Sequence, residues 1–238
     1  MLVTNCLATA QELAQLEAID EWIMQDQVPE ARAAVQELLN TYPKSYDVLW
    51  RASRVELLTG EQSEGKKLEK KHYREALNLA DRAVKANKKG SHGYMRRAAA
   101  NGKLALFEGV LTANEYVNAV RDDAEKALKL NSESPYQMAT AHYILGRTHV
   151  KLSETPAVLR MPLDLEWGDF EEGLEHLEKA VEMRPGFIMY NLDFARALIE
   201  DKQDDKARVI LKNISSLDEV EPGDKLRKNE ALELLNSL

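Results

Sequence analysis

Apolar residues recur along this chain at spacings of three and four, the period of helices with one buried face. The clearest instance is DFEEGLEHLEKAVEMRP, residues 169–185, where Gly173, Leu177 and Ala180 share a face and Pro185 ends the helix. Small side chains at Gly173 and Ala180 let a partner helix approach closely, and Leu177 fills the space between them. The stripe returns as Ala31, Val35 and Leu38 before Pro43, as Ala76, Ala80 and Ala83, as Val120, Ala124 and Ala127, and in a last helix around Ala207. Each is preceded by another helical stretch, so the pattern predicts five pairs: 11–24 with 30–40, 46–58 with 73–87, 93–104 with 116–131, 137–152 with 170–184, and 188–200 with 204–214. Residues 225–238, with Leu226, Leu232 and Leu235, predict a closing helix.

Helix pairs of this kind, in units of about 34 residues, are the signature of a tetratricopeptide repeat. The predicted fold is all-α: a tetratricopeptide-repeat α-solenoid, a right-handed superhelix of helix pairs. Its units are 11–43, 44–88, 89–135, 136–186 and 187–219, after an N-terminal tail 1–10 and before a C-terminal capping helix in 220–238. From the small slot of the first helix to that of the second, Ile19 to Ala31 and Ala195 to Ala207 keep the ordinary interval of roughly 12 residues. Ser53 to Ala76, Ala98 to Val120 and Gly146 to Gly173 are longer by roughly ten to fifteen residues. The three central units thus carry extended intra-repeat turns, GEQSEGKKLEKK, ALFEGVLTAN and SETPAVLRMPLDLEWGD.

Composition adds limits. Charged residues make up 30% of 238, with seven Pro and eleven Gly, as expected of a folded, soluble, helix-rich chain. A net charge of -8 argues against general nucleic-acid binding. The single cysteine, Cys6, forms no internal disulfide, in keeping with a cytoplasmic setting. No run reaches the ~20 apolar residues of a membrane span, and the start MLVTNCLATA lacks the basic residues of a leader. No His, Cys and carboxylate cluster has metal spacing, and no cofactor is expected. GEQSEGKK, residues 60–67, matches a phosphate-loop spacing, but Lys67 replaces the hydroxyl residue and a helix precedes it, so the reading is rejected. Its neighbours Lys66, Lys67, Lys70 and Lys71 read as a solvated basic face.

The segments VLWRASRV, EKKHYREALNLADRAVKAN, SHGYMRR, LFEGVLTANEYVNAVRDDAEKALKLN and ATAHYILGR resemble the core of the regulator of microtubule dynamics family, from about Ile19 onward. The likeness includes the stretched turns. It implies a helical tetratricopeptide core that acts by binding, without catalytic residues, with tubulin or microtubules as partner. Animal members are also associated with membranes. The chain departs from them in lacking an N-terminal targeting segment and in its insert PAVLRMPLDLEW, as a soluble bacterial member would.

In such a stack the first helices line a concave groove, and residues at one repeat position form a row along it. Directly after the small slot stand Asp20, Arg54, Ala99, Arg147 and Arg196; three residues before it stand Leu16, Trp50, Met95, Tyr143 and Leu192. Arg51 and Arg96 flank the row, and His92 adjoins it. A basic row beside an apolar and aromatic one predicts recognition of an acidic protein segment, because guanidinium pairs bidentately with carboxylate and stacks on rings. The alternative is that these arginines pair with neighbouring helices. A rival function is a carrier or tether for lipid or another amphiphile, with the 153–169 insert (Met161, Leu163, Leu165, Trp167) as lid; otherwise that insert packs back on its own unit. His142 and His149 are expected to serve packing.

Overall fold

A computed structural model describes residues 10–108, 110–130 and 135–238. The tail 1–9, with Cys6, lies outside the described residues. Twelve α-helices follow one another with no strand among the described residues: α1 (Ala10–Met24), α2 (Val28–Thr41), α3 (Tyr46–Glu61), α4 (Lys66–Ala86), α5 (Ser91–Ala105), α6 (Val110–Leu130), α7 (Pro135–Ser153), α8 (Ala157–Arg160), α9 (Phe170–Met183), α10 (Ile188–Glu200), α11 (Asp204–Ile214) and α12 (Asp224–Ser237). Helices pack as the pairs α1 with α2, α3 with α4, α5 with α6, α7 with α9, and α10 with α11, each pair stacked on the next.

The slots inferred from spacing are where paired helices touch. Ile19, Ala31, Ala76, Ala98, Ala180, Ala195 and Ala207 are wholly buried, and Ser53 Oγ donates to the Ala76 carbonyl at 2.8 Å. Between α7 and α9 two glycines face one another: a Cβ on Gly146 would lie 2.9 Å from Gly173 O, and one on Gly173 3.0 Å from Gly146 O. Only hydrogen fits at that crossing. The two unextended units share one turn. Asp26 and Lys202 both adopt positive φ (57° and 60°), with Gln27 N donating to Trp22 O and Gln203 N to Leu198 O, each at 2.8 Å.

The central inserts differ from one another. The first two are mostly helix: α4 and α6 each run 21 residues, and the connection left between α3 and α4 is residues 62–65. Lys, Glu and Leu in KKLEKK favour the helix over a loop. The overhangs form a satellite cluster in which Tyr73 and Leu104 are buried, with Phe107 and Tyr116 packed against them, and Lys70 Nζ bonds Glu108 at 2.8 Å. The third insert is a genuine loop holding α8 and a single 3-10 turn, Met161–Leu163. Buried Arg160 staples it, donating to the carbonyls of Thr155, Leu165 and Gly168 at 2.8 Å each.

At the C-terminus α12 covers the last pair, as a cap should. Its inward stripe is Ala231, Leu234, Leu235 and Leu238; Leu226 and Leu232, expected inward, are 72% and 56% exposed. Residues six apart point to different helix faces, whereas 231, 234, 235 and 238 follow the i, i+3, i+4, i+7 rule.

Candidate interaction groove

The first helices of successive pairs bring one wall of the solenoid together around a cavity of about 250 Å3. It is lined by Asp20 and Met24 from α1, Trp50 and Arg54 from α3, His92, Met95 and Arg96 from α5, Gln137 and Thr140 from α7, Arg184 after α9, and Val220 and Glu221 from the segment before α12. Six of the residues singled out from the repeat rows and their flanks therefore meet here: Asp20, Trp50, Arg54, His92, Met95 and Arg96.

Trp50 is the centre of a stack. The His92 ring lies 4.1 Å from it at 7°, and the Arg51 guanidinium is 4.1 Å from the Trp50 ring centroid. The indole Nε1 donates to Asp47 Oδ1 at 3.2 Å, and Arg51 is held by Asp20 at 2.8 Å. His92 Nε2 is 2.9 Å from Gln137 Nε2. These contacts orient a flat apolar wall beside the charged floor.

The floor is made of Arg54 and Arg96. Arg54 Nη2 donates to Glu221 Oε1 at 2.5 Å and its Nη1 lies 3.9 Å from Asp20 Oδ1. Arg96 Nε is buried with no hydrogen-bond partner. Burial, and then the charge of Arg54, press the Arg96 pKa down to about 10. A guanidinium whose Nε is kept from water, close to a like charge, is the arrangement that a bound anion relieves.

The remaining predicted residues gather elsewhere. Tyr143 OH donates to Asp193 Oδ2 at 2.6 Å, Arg147 Nη1 lies 3.1 Å from the same carboxylate, and Arg196 Nη1 lies 2.5 Å from its other oxygen. Arg196 also pairs with Glu230 of α12. Asp193 is buried, Tyr143 stacks on Tyr190 at 4.5 Å, and burial followed by Asp193 raises the Tyr143 pKa. Here the arginines tie helices together. Leu192 is 1% exposed and packs in the cluster shared with α11 and α12.

Repeat position did not reveal Arg184, Thr140 or Glu221, although it had already placed Asp20 in the row beside Arg54. Arg184 caps a second helix, lying 3.9 Å over Phe187, and Glu221 follows the last repeat. The acidic run 218–221 was the available signal, but its place opposite Arg54 depends on how far the solenoid curls. The insert is not a lid: Trp167 Nε1 donates to Asn118 of α6 at 2.8 Å under Arg121, Leu165 is buried, and none of the residues lining the groove belongs to it. Lys66, Lys67, Lys70 and Lys71 wall a separate cleft of about 1150 Å3 between α2 and α4. His142 and His149 face His176 of α9, with His142 Nδ1 and His176 Nδ1 2.7 Å apart. Among the described residues no cluster of His, Cys and carboxylates has metal-binding geometry, and no helix is long and apolar enough to cross a membrane.

Stacked helix pairs with small-residue crossings, a concave wall of first helices and a terminal cap define a tetratricopeptide-repeat solenoid. Solved structures agree: a thermophilic tetratricopeptide protein from Thermus thermophilus superposes with a TM-score of 0.69 at 15% identity, covering 92% of this chain and 98% of that one. PilF of Pseudomonas aeruginosa superposes at 0.53 and 12% identity, over 94% and 83%. The profile of the family described as Regulator of microtubule dynamics protein 1-3 matches residues 15–238, and the chain belongs to that family. Human Regulator of microtubule dynamics protein 2 is 24% identical over 218 residues, 85% of this chain and 51% of the human protein, so the chain spans about half the length of that relative.

Proposed function

We propose that this chain is a non-catalytic protein-interaction scaffold that holds an acidic partner segment in the groove of Trp50, Arg54, His92, Met95 and Arg96. The observation that carries the reading is the buried, unbonded Nε of Arg96 beside Arg54 on a concave wall. Arginine forks suit carboxylates, and the Trp50 and His92 stack offers an apolar edge for the residues between them. Family membership makes the microtubule the first partner to test.

Co-sedimentation with microtubules, and fluorescence anisotropy with a labelled oligoglutamate peptide, test both parts. Arg54→Glu is expected to weaken peptide binding by about 100-fold, the scale of losing a buried charge-assisted pair and gaining a like-charge contact. Arg147→Glu is expected to lower stability through Asp193 while leaving affinity within about threefold, since changes far from a contact are usually additive. Equal loss from both variants would sink the assignment to this groove.

A further inference from the structure

The groove is partly filled by the chain itself. The segment between α11 and α12 carries Asp218, Glu219 and Glu221, and Glu221 reaches Arg54 across a sequence separation of 167 residues. Its main chain is held from another side. Val220 N and Glu221 N donate to Asp224 Oδ2 at 3.0 and 2.9 Å, Arg227 Nη1 donates to Pro222 O at 2.8 Å, and Asp224 is 2% exposed. None of these bonds involves Arg54. The start of α12 sets the turn, and the Glu221 carboxylate extends from that fixed base into the groove.

Glu221 accepts a hydrogen bond from Arg54, which also has Asp20 at 3.9 Å, while Arg96 Nε stays without a partner in the same cavity. Removing the Glu221 charge would leave Arg54, Arg96 and Arg184 facing Asp20 as the remaining carboxylate of the lining.

We infer that Glu221 is an internal competitor for the groove, and that the partner segment able to displace it carries two carboxylates close together, engaging Arg54 and Arg96 at once. This rests on the reading of the groove as an acidic-segment site. A tethered side chain competes at an effective concentration on the order of millimolar or above, so an incoming segment that only replaces one carboxylate by another gains little. A second charge-assisted pair at Arg96 supplies the difference. Val220 lines the same cavity, so an apolar residue between the acids fits the wall that Trp50 and Met95 form.

The test is fluorescence anisotropy with two fluorescein-labelled, amidated peptides. One copies residues 215–224, SSLDEVEPGD; the other has Asn or Gln at every acidic position except that matching Glu221. The wild type is expected to bind the first about tenfold more tightly than the second, and Glu221→Gln to bind both about tenfold more tightly than the wild type. Arg96→Gln should erase the preference. If Glu221→Gln gains nothing while Arg54→Gln abolishes binding, Glu221 is no competitor although the groove reading stands. Equal affinity of the wild type for the two peptides overturns the two-carboxylate partner. No binding by any protein, or binding indifferent to Arg54→Gln, overturns the groove reading itself. Circular dichroism checks each fold, and Glu221→Asp, one methylene too short, replaces Glu221→Gln should that variant unfold.

Discussion

At the scale of single residues the chain uses the same side chain for opposite purposes. Arg147 and Arg196 converge on the buried carboxylate of Asp193, whereas Arg54 holds Glu221 with Asp20 nearby and Arg96 Nε beside it has no partner. The histidines between α7 and α9 give a prediction of their own. Burial, reinforced by His142, His149 and Lys179, lowers the His176 pKa to about 4 from its ordinary 6.5, and burial lowers those of His142 and His149 as well. The unfolded chain binds a proton as pH falls through 6.5, but folded His176 does not until about 4. Stability is therefore full above 6.5 and falls across that window. With screening at a half-buried site the loss is about 1–2 kcal/mol. Thermal melts of wild type and His176→Gln between pH 7 and 4.5 check this: the variant should show the shallower slope, and parallel slopes would refute it.

Elements are specified by small residues as much as by large ones. Gly146 and Gly173 place α7 and α9 backbone against backbone, which keeps a pair intact across the longest insert in the chain. Gly173→Ala is expected to destabilise by about 1–3 kcal/mol through overpacking, despite the better helix propensity of alanine; urea unfolding measures it. Gly186→Ala, where a Cβ meets nothing within 4 Å, is the control and should be near neutral. The inserts of the second and third units were legible as extra residues in a fixed place. Their conformation was less so: the Lys- and Glu-rich insert of the second unit suits both a solvated turn and an overhanging helix, and the short insert of the third, with Gly109 in its middle, gives no clear period. What settled it for α4 was the partner it found in the connection after α5, Lys70 with Glu108 and Tyr73 with Phe107.

The whole molecule is a curled stack whose far ends meet. Asp20 of α1, Arg54 of α3 and Glu221 before α12 line one cavity, so the concave wall is closed by the segment that also leads into the cap. Deleting residues 224–238 removes both the support of that turn, Asp224 and Arg227, and the cover over Leu192, Leu211 and Ile214. Such a truncation is expected to melt several degrees lower, by roughly the 4 °C or less that each lost kcal/mol costs a domain of this size. It should also bind a hydrophobic dye that the full chain does not, and an unchanged melt without dye binding would show that the cap is dispensable.

The sequence by itself determined the helix pairs, their order and the touching slots, because a repeated spacing of small and large apolar residues admits one way of packing neighbouring helices. It also named Trp50 of the wall and Arg54 and Arg96 of the floor, since residues at equivalent repeat positions on the first helices must line one face of the stack. It could not separate the arginines that face a cavity from those that grip Asp193, because both occupy equivalent positions in their units. That distinction, and the arrival of Glu221 at Arg54, depend on the curvature summed over successive stacked pairs, a quantity that no local spacing contains and only the tertiary structure decided.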